Sequence, residues 1–429
     1  MFKVRFSLLI VGILGTNGNL MGDHWKKLKY SHSAFATESR GKIIESNPKE
    51  KESFSASWIN LENNKERIGL SSKVNPPRSG HISFVVPVSD DVESTREGVY
   101  VFGGYAEDMD DSSDHVIRYS TNDLWHWKPS TRTWEEIEAI GKAPRPRLVA
   151  SCSFLDDRPV LVGGWDPMDV GTGGVILDTI SELDLSCMEW KDFEGLTVPG
   201  KSGTSRHISV SLPPDRKTNK KRLLIHNHRC TDHVLLLERD QNESPRIRRQ
   251  LTTGDFPSPR GLHAADLLGD DTVVFFGGAA QNGSMSNEVF ILDLDSWKWT
   301  RINSRSTGPS ERAAPCLCAL NNRSLVMFGG AEATSTGLRA RGDVWALNIS
   351  AKDRQCKWDL LLDDQGDNDK KVEEGYAPHP RNAATLDLLE GFSLGEHMKD
   401  NVYYLLLHGG WSPFKKTFND NFVLQLSEN

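Results

Sequence analysis

The chain lacks an excess of positive charge, closely spaced cysteine pairs and any apolar run of membrane-spanning length. Its 429 residues include 51 Lys and Arg against 59 Asp and Glu, for a net charge of -8. This balance provides no basic field for nucleic acid, so we expect neither DNA nor RNA as a partner. The six cysteines form no Cys-x-x-Cys motif, which argues against a zinc knuckle or a dithiol redox site. No stretch approaches the roughly 20 apolar residues of a transmembrane helix, so we expect no membrane span.

The N-terminus has the layout of a secretory signal peptide. Two basic residues precede an apolar run from Phe6 to Leu14, and small residues follow. We predict a signal peptide over residues 1–18 and a secretory or extracellular location, with a cytoplasmic location as the alternative. Residues 19–56 are polar and mixed in charge, which predicts a disordered linker before a folded domain at 57–429.

One pattern recurs through the predicted domain. An apolar run ends in Gly-Gly, a second run follows, and a tryptophan lies twelve residues after the start of that second run. The three clean copies run from Asn122 to Trp134, from Asp178 to Trp190 and from Asn287 to Trp299. Each unit contains four short β-prone runs separated by turn residues, which predicts a four-stranded antiparallel sheet.

Six such units can be recognised, and two of them are irregular. The third has Asn227-His228 in place of Gly-Gly and no tryptophan, and the sixth lacks a fourth strand. The tetrapeptide that begins at Trp58, ahead of the first unit, matches the tryptophan strands of the other units. We predict that it completes the last sheet, because this removes the unpaired edge of an open ring.

The Gly-Gly pairs, the twelve-residue step to tryptophan and the Pro-x-Arg or Ser-x-Arg starts resemble the kelch-repeat β-propeller family over about residues 57–427. The resemblance implies an all-β, six-bladed kelch-type propeller with four-stranded antiparallel blades, closed three-plus-one by the N-terminal strand. It identifies a fold rather than an activity, because the same scaffold serves adaptor, enzymatic and cytoskeletal roles. We expect a monomeric scaffold that binds a protein or an acidic peptide, with no catalytic residues and no cofactor.

The first predicted strand of every unit begins with an arginine. In a ring, equivalent positions would place these arginines near one mouth of the channel, where guanidinium groups suit a carboxylate, a phosphate or an acidic peptide. The alternative is that each arginine bonds the carbonyls or acids of its own blade junction. The predicted contacts also include the loops 105–120, 165–177 and 331–341. The six predicted ligand-binding arginines are Arg78, Arg147, Arg206, Arg260, Arg312 and Arg381.

The loop after Gly104 suggests a second function. It contains Glu107, Asp111 and His115 at steps of four, which resembles the Glu-x3-Asp-x3-His iron triad of plant specifier proteins, kelch propellers that redirect glucosinolate breakdown. Two carboxylates and an imidazole are suitable ligands for ferrous iron. The alternative function is therefore an iron-dependent lyase. A solvated acidic loop, or a weak site for another divalent cation, explains the same residues without catalysis.

Overall fold

The structure, a computed structural model, describes residues 53–61, 74–88, 96–109, 116–167, 173–199, 203–240, 243–350, 355–364, 376–392 and 401–428. The predicted signal peptide and most of the predicted linker lie outside these stretches. Within them the backbone forms strands, turns and irregular segments, with no helix, so the predicted all-β class is confirmed. No helix able to cross a membrane is found in this part of the chain.

The first two units form separate sheets, each with a short strand from the preceding connection. One early strand, β1 (Phe54–Asn60), pairs elsewhere. The first sheet contains β2 (Arg78–Ser79), β3 (Ile82–Val86), β4 (Gly98–Met109), β5 (Val116–Lys128) and β6 (Thr133–Ile137). The next strands are β7 (Ile140–Gly141), β8 (Ser151–Leu155), β9 (Arg158–Val162), β10 (Trp165–Asp166), β11 (Val175–Ile176), β12 (Thr179–Asp184) and β13 (Glu189–Thr197). Of these, β10 and β11 pair only with each other, and the rest form the second sheet.

The third unit forms a four-stranded antiparallel sheet of its own. Its strands are β14 (Ile208–Leu212), β15 (Lys221–His226), β16 (His233–Arg239) and β17 (Arg246–Leu251). The Gly-Gly pair is absent here, yet the register of the four strands is continuous. The sheet therefore forms without the Gly-Gly pair.

The fourth and fifth units join into one nine-stranded sheet through a short parallel contact of their outer strands. The fourth contains β18 (Thr253–Gly254), β19 (Ala264–Leu268), β20 (Thr272–Phe276), β21 (Val289–Asp293) and β22 (Lys298–Ser304). The fifth contains β23 (Cys316–Ala319), β24 (Ser324–Phe328), the ribbon β25 (Ala331–Thr334) and β26 (Gly337–Ala340), then β27 (Val344–Ser350) and β28 (Gln355–Leu362). The last strands are β29 (Thr385–Leu388), β30 (Val402–His408), β31 (Trp411–Ser412), β32 (Lys416–Thr417) and β33 (Asn421–Glu428).

The strand that contains Trp58 lies beside the last strand of the chain. β1 runs antiparallel to β33 over seven residue pairs, from Phe54↔Glu428 to Asn60↔Phe422. This gives the last sheet the order β1-β33-β30-β29. The predicted linker extends too far, because β1 already begins at Phe54. Phe54 is 7% exposed, and its ring lies 6.3 Å from that of Tyr403.

Tryptophans of the outer strands pack against aromatic rings of the neighbouring sheet. This arrangement explains the two histidines that replace a phenylalanine before the Gly-Gly position, His226 and His408. Both are buried and both meet a tryptophan, so they pack in the core as the phenylalanines do. The ring pairs are Trp190 with Phe102 (5.2 Å), Trp299 with His226 (5.5 Å), Trp358 with Phe276 (5.1 Å), Trp58 with Phe328 (5.3 Å) and Trp134 with His408 (4.5 Å).

Six residues, one ahead of each unit's first long strand, are linked by backbone hydrogen bonds that return to their starting point. In each bond the amide nitrogen of one residue donates to the carbonyl oxygen of the next. The order is Gly80 to Ala383 (3.2 Å), Ala383 to Ala314 (3.4 Å), Ala314 to Leu262 (2.8 Å), Leu262 to Arg206 (3.2 Å), Arg206 to Val149 (3.3 Å) and Val149 to Gly80 (2.9 Å). All six have φ between 50° and 65°. We call this set the hydrogen-bond ring.

Candidate functional site

Five of the six predicted arginines are buried and bonded inside their own sheet. Their exposure is 0% to 5%. In each, Nη1 donates to the carbonyl oxygen of the first glycine of the Gly-Gly pair. The bonds are Arg78 to Gly103 (2.8 Å), Arg147 to Gly163 (2.8 Å), Arg260 to Gly277 (3.3 Å), Arg312 to Gly329 (3.0 Å) and Arg381 to Gly409 (3.0 Å).

Four of these arginines also bind a carboxylate from the segment that follows the Gly-Gly pair. The ion pairs are Arg78 with Asp123 (2.7 Å), Arg260 with Glu288 (2.6 Å), Arg312 with Asp343 (2.7 Å) and Arg381 with Asp420 (2.9 Å). Arg147 has the hydroxyl of Thr179 instead (3.1 Å). Burial acts to raise the pKa of Asp343, but the hydrogen bonds and charge of Arg312 outweigh it and hold that pKa below its usual value.

The backbone of four of these five arginines connects neighbouring units. The amide nitrogen of Gly104 donates to the carbonyl oxygen of Arg147 at 2.8 Å, and the second glycine of the pair makes the equivalent bond to Arg312, Arg381 and Arg78. A Cβ atom on Gly103 would lie 2.8 Å from that Arg147 oxygen, at a φ of +66°, so only glycine fits. For these five arginines the geometry favours the alternative of a blade-junction role over an exposed positive collar.

Arg206 does not occupy the position of the other five, so its predicted equivalence to them is wrong. The amide nitrogen of Gly164 donates to the carbonyl oxygen of Thr204 at 2.8 Å, which makes Thr204 the equivalent residue. The physical reason is that the third unit replaced both halves of the arginine pair. Thr204 accepts a hydrogen bond from the Asn227 side chain at 3.2 Å, and Arg206 lies two residues later, in the hydrogen-bond ring.

The side chain of Arg206 is partly exposed, and its Nε is buried without a hydrogen-bond partner. A Cβ atom on Gly261 would lie 2.7 Å from Cβ and 3.1 Å from Cδ of Arg206, so the arginine passes directly over that glycine. Burial lowers the pKa of Arg206 well below its usual value. The third unit therefore places a cation where the other units place small or apolar side chains.

Two-stranded ribbons rise from the same end of the sheets. They follow the Gly-Gly pairs directly and consist of β10 with β11, β25 with β26, β31 with β32, and the outer halves of β4 and β5. We call this surface the ribbon face. The predicted contact loops 105–120, 165–177 and 331–341 fall on three of these ribbons, although 110–115 and 168–172 lie outside the described residues. The third unit has only a short turn from Asn227 to Asp232.

One prominent residue of the ribbon face was missed from the sequence. Phe414 lies in the turn between β31 and β32, is 53% exposed and has a φ of 62°. Its ring meets Trp411 edge-on at 5.9 Å. A bulky residue with positive φ is unusual outside a constrained turn. The aromatic pair in the stretch after Gly410 was the available signal.

The predicted iron triad is only partly described. Glu107 lies on β4, where its carboxylate pairs with Arg118 at 2.7 Å, while Asp111 and His115 lie outside the described residues. No cluster of three or more His, Cys, Asp or Glu side chains suited to a metal is found in the part of the chain that the structure describes. The triad therefore stays a prediction from sequence.

Sheets wedged together by tryptophans and joined through Gly-Gly junctions define a propeller-like protein built of kelch repeats. The KLHDC2/KLHL20/DRC7 Kelch-repeats domain matches residues 223–429. The chain is 26% identical over 293 residues to Kelch domain-containing protein 2 of Bos taurus, which covers 64% of this chain and 67% of that protein. It is 25% identical over 296 residues to Kelch domain-containing protein 1 of Mus musculus, with the same coverage. An F-box/kelch-repeat protein of Arabidopsis thaliana is 25% identical over 312 residues, 68% of this chain and 57% of that protein. The family model and these relatives show that the chain contains kelch repeats of the propeller type.

Proposed function

We propose that this chain is a six-bladed propeller, closed by β1 in the last blade, that binds a protein partner through its ribbon face. Support for the blade count comes from the hydrogen-bond ring, which takes one residue from each of six units. Support for closure comes from the pairing of β1 with β33 and from the contact of Trp134 with His408. Kelch-repeat propellers generally serve as protein-interaction modules, and a closed ring would hold the ribbons in fixed positions.

The proposed binding function rests on a difference in exposure: the arginines at the blade junctions are buried, and large side chains of the ribbons are exposed. The junction arginines bond within and between the units, whereas the ribbons expose large side chains to solvent, including Phe414. Exposed aromatic side chains are typical anchors of protein interfaces. We propose a monomer with a protein or acidic-peptide partner, and a secretory or extracellular location set by the signal peptide at 1–18. N-terminal sequencing of the mature chain tests the location.

The binding function is tested by affinity capture and mass spectrometry with three proteins. These are the wild type, Phe414→Ala on the ribbon face, and Leu360→Ala, an exposed residue of the outer strand β28. We expect the wild type and the β28 control to capture the same partner, and Phe414→Ala to capture much less of it at unchanged thermal stability. Equal capture by all three proteins would exclude the ribbon face as the docking surface.

The alternative, an iron-dependent lyase, rests on the sequence spacing of Glu107, Asp111 and His115. Its test is metal analysis of the purified protein. Stoichiometric iron that is lost in His115→Ala would support this alternative, while a metal-free wild type that still captures its partner would support the binding module.

A further inference from the structure

The hydrogen-bond ring contains one charged residue. Its other members are glycine, alanine, valine or leucine, and each of the four with a side chain is at most 5% exposed. Arg206 is partly exposed. The backbone conformation does not require arginine, because a positive φ strains any L-residue and Gly80 serves the same position in the first unit. An arginine at this position therefore calls for an explanation beyond the fold.

Within the part of the chain that the structure describes, the guanidinium of Arg206 has N–H donors without an acceptor. The comparison is Arg312, whose Nε donates to the Ser310 carbonyl at 3.0 Å and whose other nitrogens bind Gly329 and Asp343. Arg206 makes none of these bonds, and its buried Nε has no partner. A buried donor without an acceptor costs free energy, and no carboxylate offsets the effect of burial on the pKa of Arg206. The guanidinium of Arg206 therefore lacks a hydrogen-bond acceptor, whereas those of the other five arginines each have one.

The neighbouring basic groups are already neutral or bonded. Burial, with Arg229 and Arg206 nearby, lowers the pKa of His228 to about 4, so its imidazole is uncharged at neutral pH. Arg229 donates to the carbonyl oxygen of Gly203. One guanidinium with free donors matches a singly charged carboxylate better than a doubly charged phosphate, which is usually bound by several cationic groups.

Apolar clusters lie on both sides of Arg206 along the ring. Val149 packs with Leu148 and Trp165 on one side, and Leu262 packs with Ala279 and Met285 on the other. The third unit has a short turn from Asn227 to Asp232 instead of a ribbon. No ribbon of the third unit therefore covers Arg206. Arg206 therefore lies between two buried apolar clusters.

We propose that Arg206 anchors the acidic side chain of a peptide bound at the ribbon face. The proposal rests on the proposed function of the ribbon face and specifies the chemistry of its ligand. An Asp or Glu carboxylate would accept two parallel bonds from the guanidinium, as Asp343 does from Arg312 within the fold.

The test uses the full chain and a library of N-acetylated, C-amidated peptides. Each peptide contains one Asp or Glu flanked by apolar residues and has a twin with Asn or Gln. The variant is Arg206→Gly, which removes the guanidinium and also relieves the positive φ. The matched control is Arg132→Gly, because Arg132 also has a positive φ (58°) and lies in the turn between β5 and β6.

We expect acidic library members to bind the wild type and the Arg132→Gly control alike, and to lose about tenfold or more in affinity for Arg206→Gly. The amide twins should be weak for all three proteins, and the Tm of Arg206→Gly should be unchanged or higher. Arg206→Lys should recover only part of the affinity, because lysine lacks the planar fork.

Three results would overturn the proposal. They are an absence of acidic-peptide binding to the wild type, equal binding to Arg206→Gly, and binding only of inorganic phosphate or of peptides with a free C-terminal carboxylate. Binding of the captured partner to the two variants distinguishes the Arg206 anchor from the proposed docking function of the ribbon face. If the partner binds Arg206→Gly normally but not Phe414→Ala, the ribbon face is the docking surface and the Arg206 anchor is wrong.

Discussion

The indole ring of Trp134 lies 4.5 Å from the imidazole ring of His408, and its Nε1 donates to the Asn421 side chain at 3.1 Å. These contacts join the first complete sheet to the last one. Trp190 and Trp358 make contacts that join units adjacent along the chain, so the Trp134–His408 pair differs in linking the first unit to the last.

Trp134→Ala should destabilise the whole domain rather than one strand. Removing a large, partly buried aromatic ring leaves a cavity between two sheets and frees the Asn421 side chain, with an expected cost of about 2–3 kcal/mol in the free energy of unfolding. Thr133→Ala, one residue away on the same strand and exposed, is the control. Urea unfolding followed by tryptophan fluorescence measures both. Equal midpoints would show that the first and last sheets do not depend on this contact.

Asp343→Asn should cost about 3–5 kcal/mol, because the neutral amide leaves the guanidinium of Arg312 buried without the carboxylate charge that pairs with it. The same pair predicts acid sensitivity. The pKa of Asp343 is below its usual value, so its stabilisation is present above the unfolded pKa and is lost as pH falls through the folded value. Urea titrations from pH 6 down to pH 3 should show a steep loss for the wild type and a shallower one for Asp343→Asn. Parallel pH profiles would contradict a stabilising role for the ion pair.

Asp266 and Asp387 predict the opposite trend at neutral pH. Burial raises the pKa of each to about 7, against hydrogen bonds that lower it. Between about pH 4 and pH 7 the folded state therefore binds more protons than the unfolded state, and the free energy of unfolding falls as pH rises. The slope approaches roughly 1.4 kcal/mol per pH unit for each group.

The test of this trend is Asp387→Asn, which keeps an oxygen for the Ser83 hydroxyl that Asp387 accepts at 2.7 Å. It should reduce the slope between pH 5 and pH 7 and should be more stable than the wild type at pH 8. The exposed Asp295→Asn is the control. A wild type whose stability rises steadily from pH 5 to pH 8 would refute the assignment.

Gly103→Ala and Gly173→Ala separate a steric clash from backbone strain. Both glycines have a positive φ, of +66° and +73°, but a Cβ atom on Gly103 meets the Arg147 carbonyl oxygen at 2.8 Å, whereas one on Gly173 meets nothing within 4 Å. Both variants should show the roughly 1–2 kcal/mol cost of a left-handed alanine. Gly103→Ala should exceed Gly173→Ala by at least about 1 kcal/mol in chemical denaturation, because the bond between Gly104 and Arg147 must shift. Similar costs would mean that the junction is tolerant.

Several features were predictable because they follow from local rules. Short apolar runs indicate strands, a Gly-Gly pair indicates a tight backbone approach, and a tryptophan at a fixed step indicates a repeated packing site. Trp58 could be recognised as an orphan strand because the tetrapeptide around it repeats the others. The acids that pair with the arginines lie 28 to 45 positions away in sequence, so no short motif reveals them.

Arg206 shows that matching the repeat units by sequence can assign a residue to the wrong structural position. Its place at the start of the third unit grouped it with the other five arginines, but the bond from Gly164 selects Thr204. Phe414 was overlooked for a related reason, since exposure at the tip of a ribbon has no signature in hydrophobic periodicity.

The amino-acid order alone indicated the all-β class, the kelch repeat and the tryptophans that pack between units, because each follows from a short pattern that recurs in every unit. The three-dimensional arrangement decided which arginines are buried in ion pairs, which one has donors to spare and which strand joins the end of the chain. Those outcomes depend on hydrogen bonds between residues far apart in sequence, where a shift of two positions changes the partner without changing the pattern.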